Sequence, residues 1–163
     1  MTTKARDRGP RPPYVTYATW TKVLDDLRET KPTQLDSTYF RDLGLSDSSG
    51  VTVRAALSFL GLVEGDGIPT EKLTELAESE GEARKSILRE LLQEGYGRIL
   101  GDLDLGHATM GHLQDRFRRA GAEGDVGHKC VTFFLALAKD AGMTLSPSLL
   151  TLSLIHISEP TRQ

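Results

Sequence analysis

Val53–Thr70 reads V-R-A-A-L-S-F-L-G-L-V-E-G-D-G-I-P-T, and Cys130–Pro147 reads C-V-T-F-F-L-A-L-A-K-D-A-G-M-T-L-S-P. Each stretch is an amphipathic helix, a glycine stop and a short apolar run that ends at or just before a proline. In the first, Val53, Ala56, Leu57 and Leu60 recur at i, i+3, i+4 and i+7, which is one face of a 3.6-residue helix. In the second, Cys130, Phe133, Phe134, Leu137, Ala138 and Ala141 make a wider face of the same period. Gly61 and Gly142 supply the stop, because glycine enters the left-handed conformation that ends a helix. The two blocks mark the closing corners of a small helical domain.

Working outward, Trp20, Val23, Leu24 and Leu27 predict a helix over Tyr17–Glu29, stopped by Pro32. Asp36 is expected to cap a short helix through Phe40 to Leu43, and Ser48 or Ser49 to start the next. Asp66-Gly67, flanked by Leu62-Val63 and Ile68, is a hairpin signal and predicts a two-stranded wing. Thr70 is expected to cap a helix that turns Leu73, Leu76 and Ala77 inward. A longer helix follows Gly81 to about Glu94, with a ragged end at Gly95, Gly97 and Gly101, since interior glycine costs about 1 kcal/mol. Thr109 and Asp125 are read as caps of the last two helices. The expected fold is mainly α, with six to seven helices in two winged-helix-like lobes, about 14–70 and 71–150, and at most one small hairpin.

The chain has 163 residues, enough for one domain or two small lobes sharing a core. Twenty Lys and Arg stand against 23 Asp and Glu, so no overall basic field argues for nucleic acid. A single cysteine excludes an intrachain disulfide and points to a reducing, cytoplasmic setting. No apolar run approaches the roughly 18 residues a membrane span needs, and the N-terminus lacks a signal peptide's apolar core. Met1–Pro13 carries Lys4, Arg6, Arg8 and Arg11 among prolines and reads as a flexible basic arm. At the other end, Leu152–Arg162, L-S-L-I-H-I-S-E-P-T-R, resembles the in-frame translation of a transposase sequencing adapter. Residues 152–163 are therefore treated as an artefactual tail, which leaves the native C-terminus open at or past Leu150.

Pro13-Tyr14-Val15-Thr16-Tyr17 with Thr19-Trp20, Phe59-Leu60-Gly61-Leu62-Val63 with Gly67-Ile68-Pro69-Thr70, and Thr132-Phe133-Phe134-Leu135 with Ala141-Gly142 and Leu145-Ser146-Pro147 resemble a prokaryotic domain-of-unknown-function family, number 5343. The resemblance covers Pro13 to Pro147. It implies a compact, mostly helical cytosolic domain and brings no catalytic residues, cofactor or metal.

The residues themselves carry no enzyme constellation. His107 and His112 are five apart, about 140° around a helix, whereas a zinc pair needs i, i+4. Glu64 and Asp66, or Asp102 and Asp104, lack the ligand spacing of a calcium loop. The glycines stand singly at turns and not in a phosphate cradle. The expectation is a non-enzymatic domain that uses no cofactor. The candidate contact surface is a basic patch on the last two helices, Arg116, Arg118, Arg119, His128 and Lys129, joined by Arg54 on the helix over Ser49–Leu60, whose exposed side chains are expected to be Thr52, Arg54 and Ser58. Such a patch would meet phosphates in a nucleic-acid-associated or regulatory role. The alternative is a protein-interaction or self-association module working through an apolar groove between the lobes.

Overall fold

The computed structural model describes residues 11–150. The readings of Met1–Pro10 as a basic arm and of Leu152–Arg162 as foreign sequence lie outside them. Pro12 and Pro13, counted with the arm on sequence, are buried, because the Pro12 carbonyl accepts from the Cys130 thiol at 3.3 Å on the last long helix.

Helix α1 spans Tyr17–Thr30, with Trp20, Val23, Leu24 and Leu27 buried as their spacing predicts. The Thr16 hydroxyl caps it by accepting from the Thr19 N–H, and Lys31 ends it with a left-handed φ of 45°. Helix α2, Ser37–Asp42, is capped by Asp36, whose carboxylate accepts from the Tyr39 N–H at 3.0 Å. Helix α3 spans Asp47–Phe59 and starts earlier than Ser48 or Ser49. The Ser46 hydroxyl takes the Ser49 N–H at 3.2 Å, which leaves Asp47 in the first turn, favourable at the positive helix end.

The hairpin is present as β1, Val63–Glu64, antiparallel to β2, Ile68–Pro69, with Val63 opposite Pro69 and Glu64 opposite Ile68. Gly67 holds a φ of 97°, and a Cβ there would stand 2.5 Å from the Leu35 carbonyl oxygen. Only glycine fits this approach, through which the Leu35 N–H donates to the Gly67 carbonyl at 2.8 Å. Helix α4 spans Glu71–Glu78, but the Thr70 side chain does not cap it. Its hydroxyl reaches back to the Gly61 and Leu62 carbonyls, each at 3.0 Å, and so pins the hairpin to the end of α3.

Helix α5 runs unbroken over Gly81–Leu100, against the ragged end predicted from its glycines. Tyr96 and Ile99 are buried in its last turns, and their packing outweighs the glycine cost. A Cβ at Gly95 would come within 3.2 Å of Leu60 and 3.4 Å of the Phe59 ring, so glycine admits the end of α3. Helix α6, Met110–Arg119, opens with a reciprocal capping box in which Thr109 and the third helical residue, His112, satisfy each other's N–H. Helix α7 spans Gly124–Asp140; Glu123 precedes it and Asp125 lies in its first turn, not at the cap. Residues 147–150 are helical again, opened by Ser146, whose hydroxyl accepts from the Leu149 N–H and donates to the Ala108 carbonyl at 2.6 Å.

The architecture is therefore mainly helical with one two-stranded sheet. Helix α1 packs on α3 and α4, α2 on α3, and α5, α6 and α7 on one another, while α4 also meets α5. One apolar cluster runs through all of it, from Trp20 and Leu57 to Phe117 and Phe134. Trp20 packs edge-on to Phe133 at 5.4 Å, which joins the first helix to the last long one. The Tyr96 ring packs against Phe59 edge-on and against Phe117 and Phe134 at a tilt, with centroids 4.9, 5.9 and 4.7 Å apart. Among the described residues, no helix is long and apolar enough to cross a membrane.

Candidate functional site

The five cations singled out on sequence are not gathered into one patch of free charge. Arg54 is half-buried on α3 and donates to the Gly65 carbonyl at 3.1 Å, tying its helix to the hairpin turn. Its helix-mate Thr52 donates to the Ser49 carbonyl at 2.9 Å and is also half-buried, which leaves Ser58 as the exposed member of that trio. Arg116 is half-buried: one guanidinium nitrogen donates to the Leu100 carbonyl at the end of α5, and another meets Asp102 at 3.2 Å. Arg118 and Arg119 are exposed, but both close on the same carboxylate, Asp115, with Arg119 at 2.8 Å. Lys129 is exposed and stands 5.7 Å over the Tyr14 ring.

Arg118 and His128 share a groove of about 420 Å³ at the start of α7, where Asp115 and Glu123 also line the wall. Its charge is mixed, so it presents no continuous cationic track of the kind a phosphate backbone requires. Burial pushes the Cys130 thiol up to about 11, opposed by the charge of Arg11, and the residue behaves as a core hydrophobe. His107 pairs with Asp104 at 2.7 Å, and His112 is engaged as a cap. Among the described residues, no group of three or more His, Cys, Asp or Glu is placed to hold a metal ion.

A second concavity of about 340 Å³ is mostly apolar. Leu92, Leu105 and Phe134 are its buried members; Leu100, Leu103 and Met143 wall it, with Gln93, Asp104 and Thr144 at the edge. This cleft lies within the second half of the chain, between α5, the connector 102–108, α7 and the turn after it. Among the described residues, Asp104 is the one charged residue that lines it. Its carboxylate pairs with His107 at 2.7 Å and accepts from the Gly106 N–H at 3.0 Å, and these two bonds, His107's first, hold it below the usual carboxylate range.

A family model described as a family of unknown function (DUF5343) matches residues 13–147. The chain belongs to DUF5343. No curated protein and no solved structure matches it. Membership covers every helix from α1 to α7, and therefore both concavities of this DUF5343 domain, without attaching a substrate to either. Sequence reasoning missed the apolar cleft and Asp104's place on its edge. The available signal was Gly97, a helix-interior glycine that local structure does not require.

Proposed function

We propose that this DUF5343 domain is a non-enzymatic protein-interaction module that receives its partner at the apolar cleft beside α5. One observation carries the reading. The cations that a nucleic-acid role would use are engaged within the chain, Arg54 by Gly65, Arg116 by Leu100 and Asp102, and Arg118 and Arg119 by Asp115, whereas the cleft's apolar walls face outward with a single fixed charge. The buried, unpaired cysteine fits a reducing compartment, so the proposed setting is the prokaryotic cytoplasm. A nucleic-acid-associated role is the second reading. It is supported by the exposure of Arg118, Arg119 and Lys129 on two adjoining helices.

Fluorescence anisotropy with a labelled random DNA duplex, titrated from low to physiological salt, separates the two. The module reading expects no retention even at low salt, and a single species in concentration-dependent light scattering until a partner is added. Salt-sensitive duplex binding that disappears in the double variant Arg118→Glu, Arg119→Glu would overturn it in favour of the second reading.

A further inference from the structure

Three glycines line the cleft, and two have local reasons to be there. Gly101 ends α5 with a φ of 58°, and a Cβ there would press on Arg116 at 3.0 Å. Gly106 turns the chain beneath Asp104, where a Cβ would come within 3.3 Å of the carboxylate. Gly97 is different. It lies inside α5 without a positive φ, and a Cβ there would meet no atom within 4 Å. Glycine at such a site costs a helix about 1 kcal/mol relative to alanine. Neither the backbone nor the packing asks for it, and what it leaves is open space at the edge of the cleft.

The walls say what suits that space. They are leucine, methionine and phenylalanine, and only three of the lining residues, Leu92, Leu105 and Phe134, are themselves buried. A free small molecule needs most of its surface enclosed, about 70–90%. This cleft is too shallow for that, but a segment of protein laid across it brings its own cover. At the edge, Asp104 has two of its lone-pair positions taken by Gly106 and His107 and the others free. Its Oδ1 is fixed by the turn, so the charge stands at a defined place beside the apolar floor.

We infer that the cleft docks a partner-protein segment that inserts apolar side chains over Gly97 and sets a flanking lysine or arginine against Asp104. This rests on the interaction-module reading and names the chemistry of the partner. The fixed carboxylate gives the cleft direction as well as affinity, because an apolar segment lacking the basic residue leaves Asp104 desolvated and unmatched.

The test is selection of displayed random peptides on the immobilised full chain, followed by anisotropy with the enriched sequences. They are expected to pair apolar residues with a neighbouring Lys or Arg. Gly97→Leu sends a side chain into the cleft from a Cβ position that meets no atom within 4 Å, so it should weaken binding by tenfold or more, about the loss of an interface anchor, while the melting temperature holds or rises. Asp104→Asn keeps the Oδ1 acceptor for Gly106 and removes the charge, and should weaken binding several-fold. Selection on Asp104→Lys should instead enrich acidic peptides. Enriched peptides that bind Gly97→Leu as tightly as the wild type, or that show no basic preference, overturn this inference and leave the module reading standing. A selection that enriches nothing overturns both.

Discussion

Arg116 was a candidate phosphate contact on sequence, and its position in the fold makes it a helix clamp. Helix α5 ends at Leu100, whose carbonyl accepts from the Leu103 N–H at 3.0 Å in the turn that follows. The Arg116 guanidinium brings a second, charged donor to the same oxygen from α6, with three-quarters of its side chain out of water (side-chain exposure 24%). A hydrogen bond from a charged donor contributes about 1.5–3 kcal/mol. The ion pair with Asp102 adds little, because that carboxylate is 96% exposed and screened. Arg116→Ala should therefore cost about 2 kcal/mol, mostly from the lost charged hydrogen bond, since the carbonyl keeps the Leu103 N–H. For a domain of this size that is a fall in melting temperature of roughly 5–8 °C. Arg116→Lys should recover part of the loss, since it restores a charged donor but not the fork. Urea unfolding followed through Trp20, the only tryptophan and fully buried, reads the change directly. The control is Arg118→Ala, whose exposed pair with Asp115 on the same helix should contribute less than about 0.5 kcal/mol. An Arg116→Ala protein as stable as the wild type, or an Arg118→Ala protein equally damaged, would refute the clamp.

Phe133 packs on Trp20 and Tyr17 and is 2% exposed, so Phe133→Ala should cost about 3–5 kcal/mol in the same urea assay. An unchanged midpoint would mean that α1 and α7 do not meet there. The Tyr96 hydroxyl is buried with no hydrogen-bond partner among the described residues, so Tyr96→Phe should stabilise by about 1 kcal/mol; a loss of that size would reveal a partner. Alkaline titration tests Cys130. Its folded pKa of about 11 lies above the unfolded thiol's, so its contribution is complete below about pH 8.5 and drains away as pH rises toward 11. Melting temperatures measured from pH 7 to pH 10 should bend downward in the wild type and bend less in Cys130→Ala; identical curves would count against a desolvated thiol.

The local grammar of this chain was readable where the partners are close in sequence. Asp36 and Thr109 cap their helices three residues ahead, and the faces of α1 and α7 follow their apolar spacing into the core. Reading failed where a group is satisfied from far away. The Thr70 hydroxyl turns back to Gly61 and Leu62, and Arg116 reaches sixteen residues to Leu100, so the residue type suggested one role and the tertiary fold assigned another. Gly95 looked like a break in α5, yet it is the slot through which Leu60 and Phe59 enter. The cleft was invisible for the same reason: its walls come from four separate segments, and only the unneeded glycine among them shows in the sequence.

Tyr17 on α1 donates to Asp140 at the last position of α7, and Arg84 from α5 meets the same carboxylate at 2.9 Å. Tyr17 and Asp140 are 123 residues apart along the chain. A contact that far apart closes a long loop, and such closures slow folding in small domains. It also sets an order of events during synthesis. Helix α1 leaves the ribosome first, with Trp20 and Tyr17 still exposed, and its binding site on Phe133 and Asp140 is made last. Until residue 140 has emerged, the aromatic face of α1 lacks the cover that Phe133 and Asp140 give it in the folded chain.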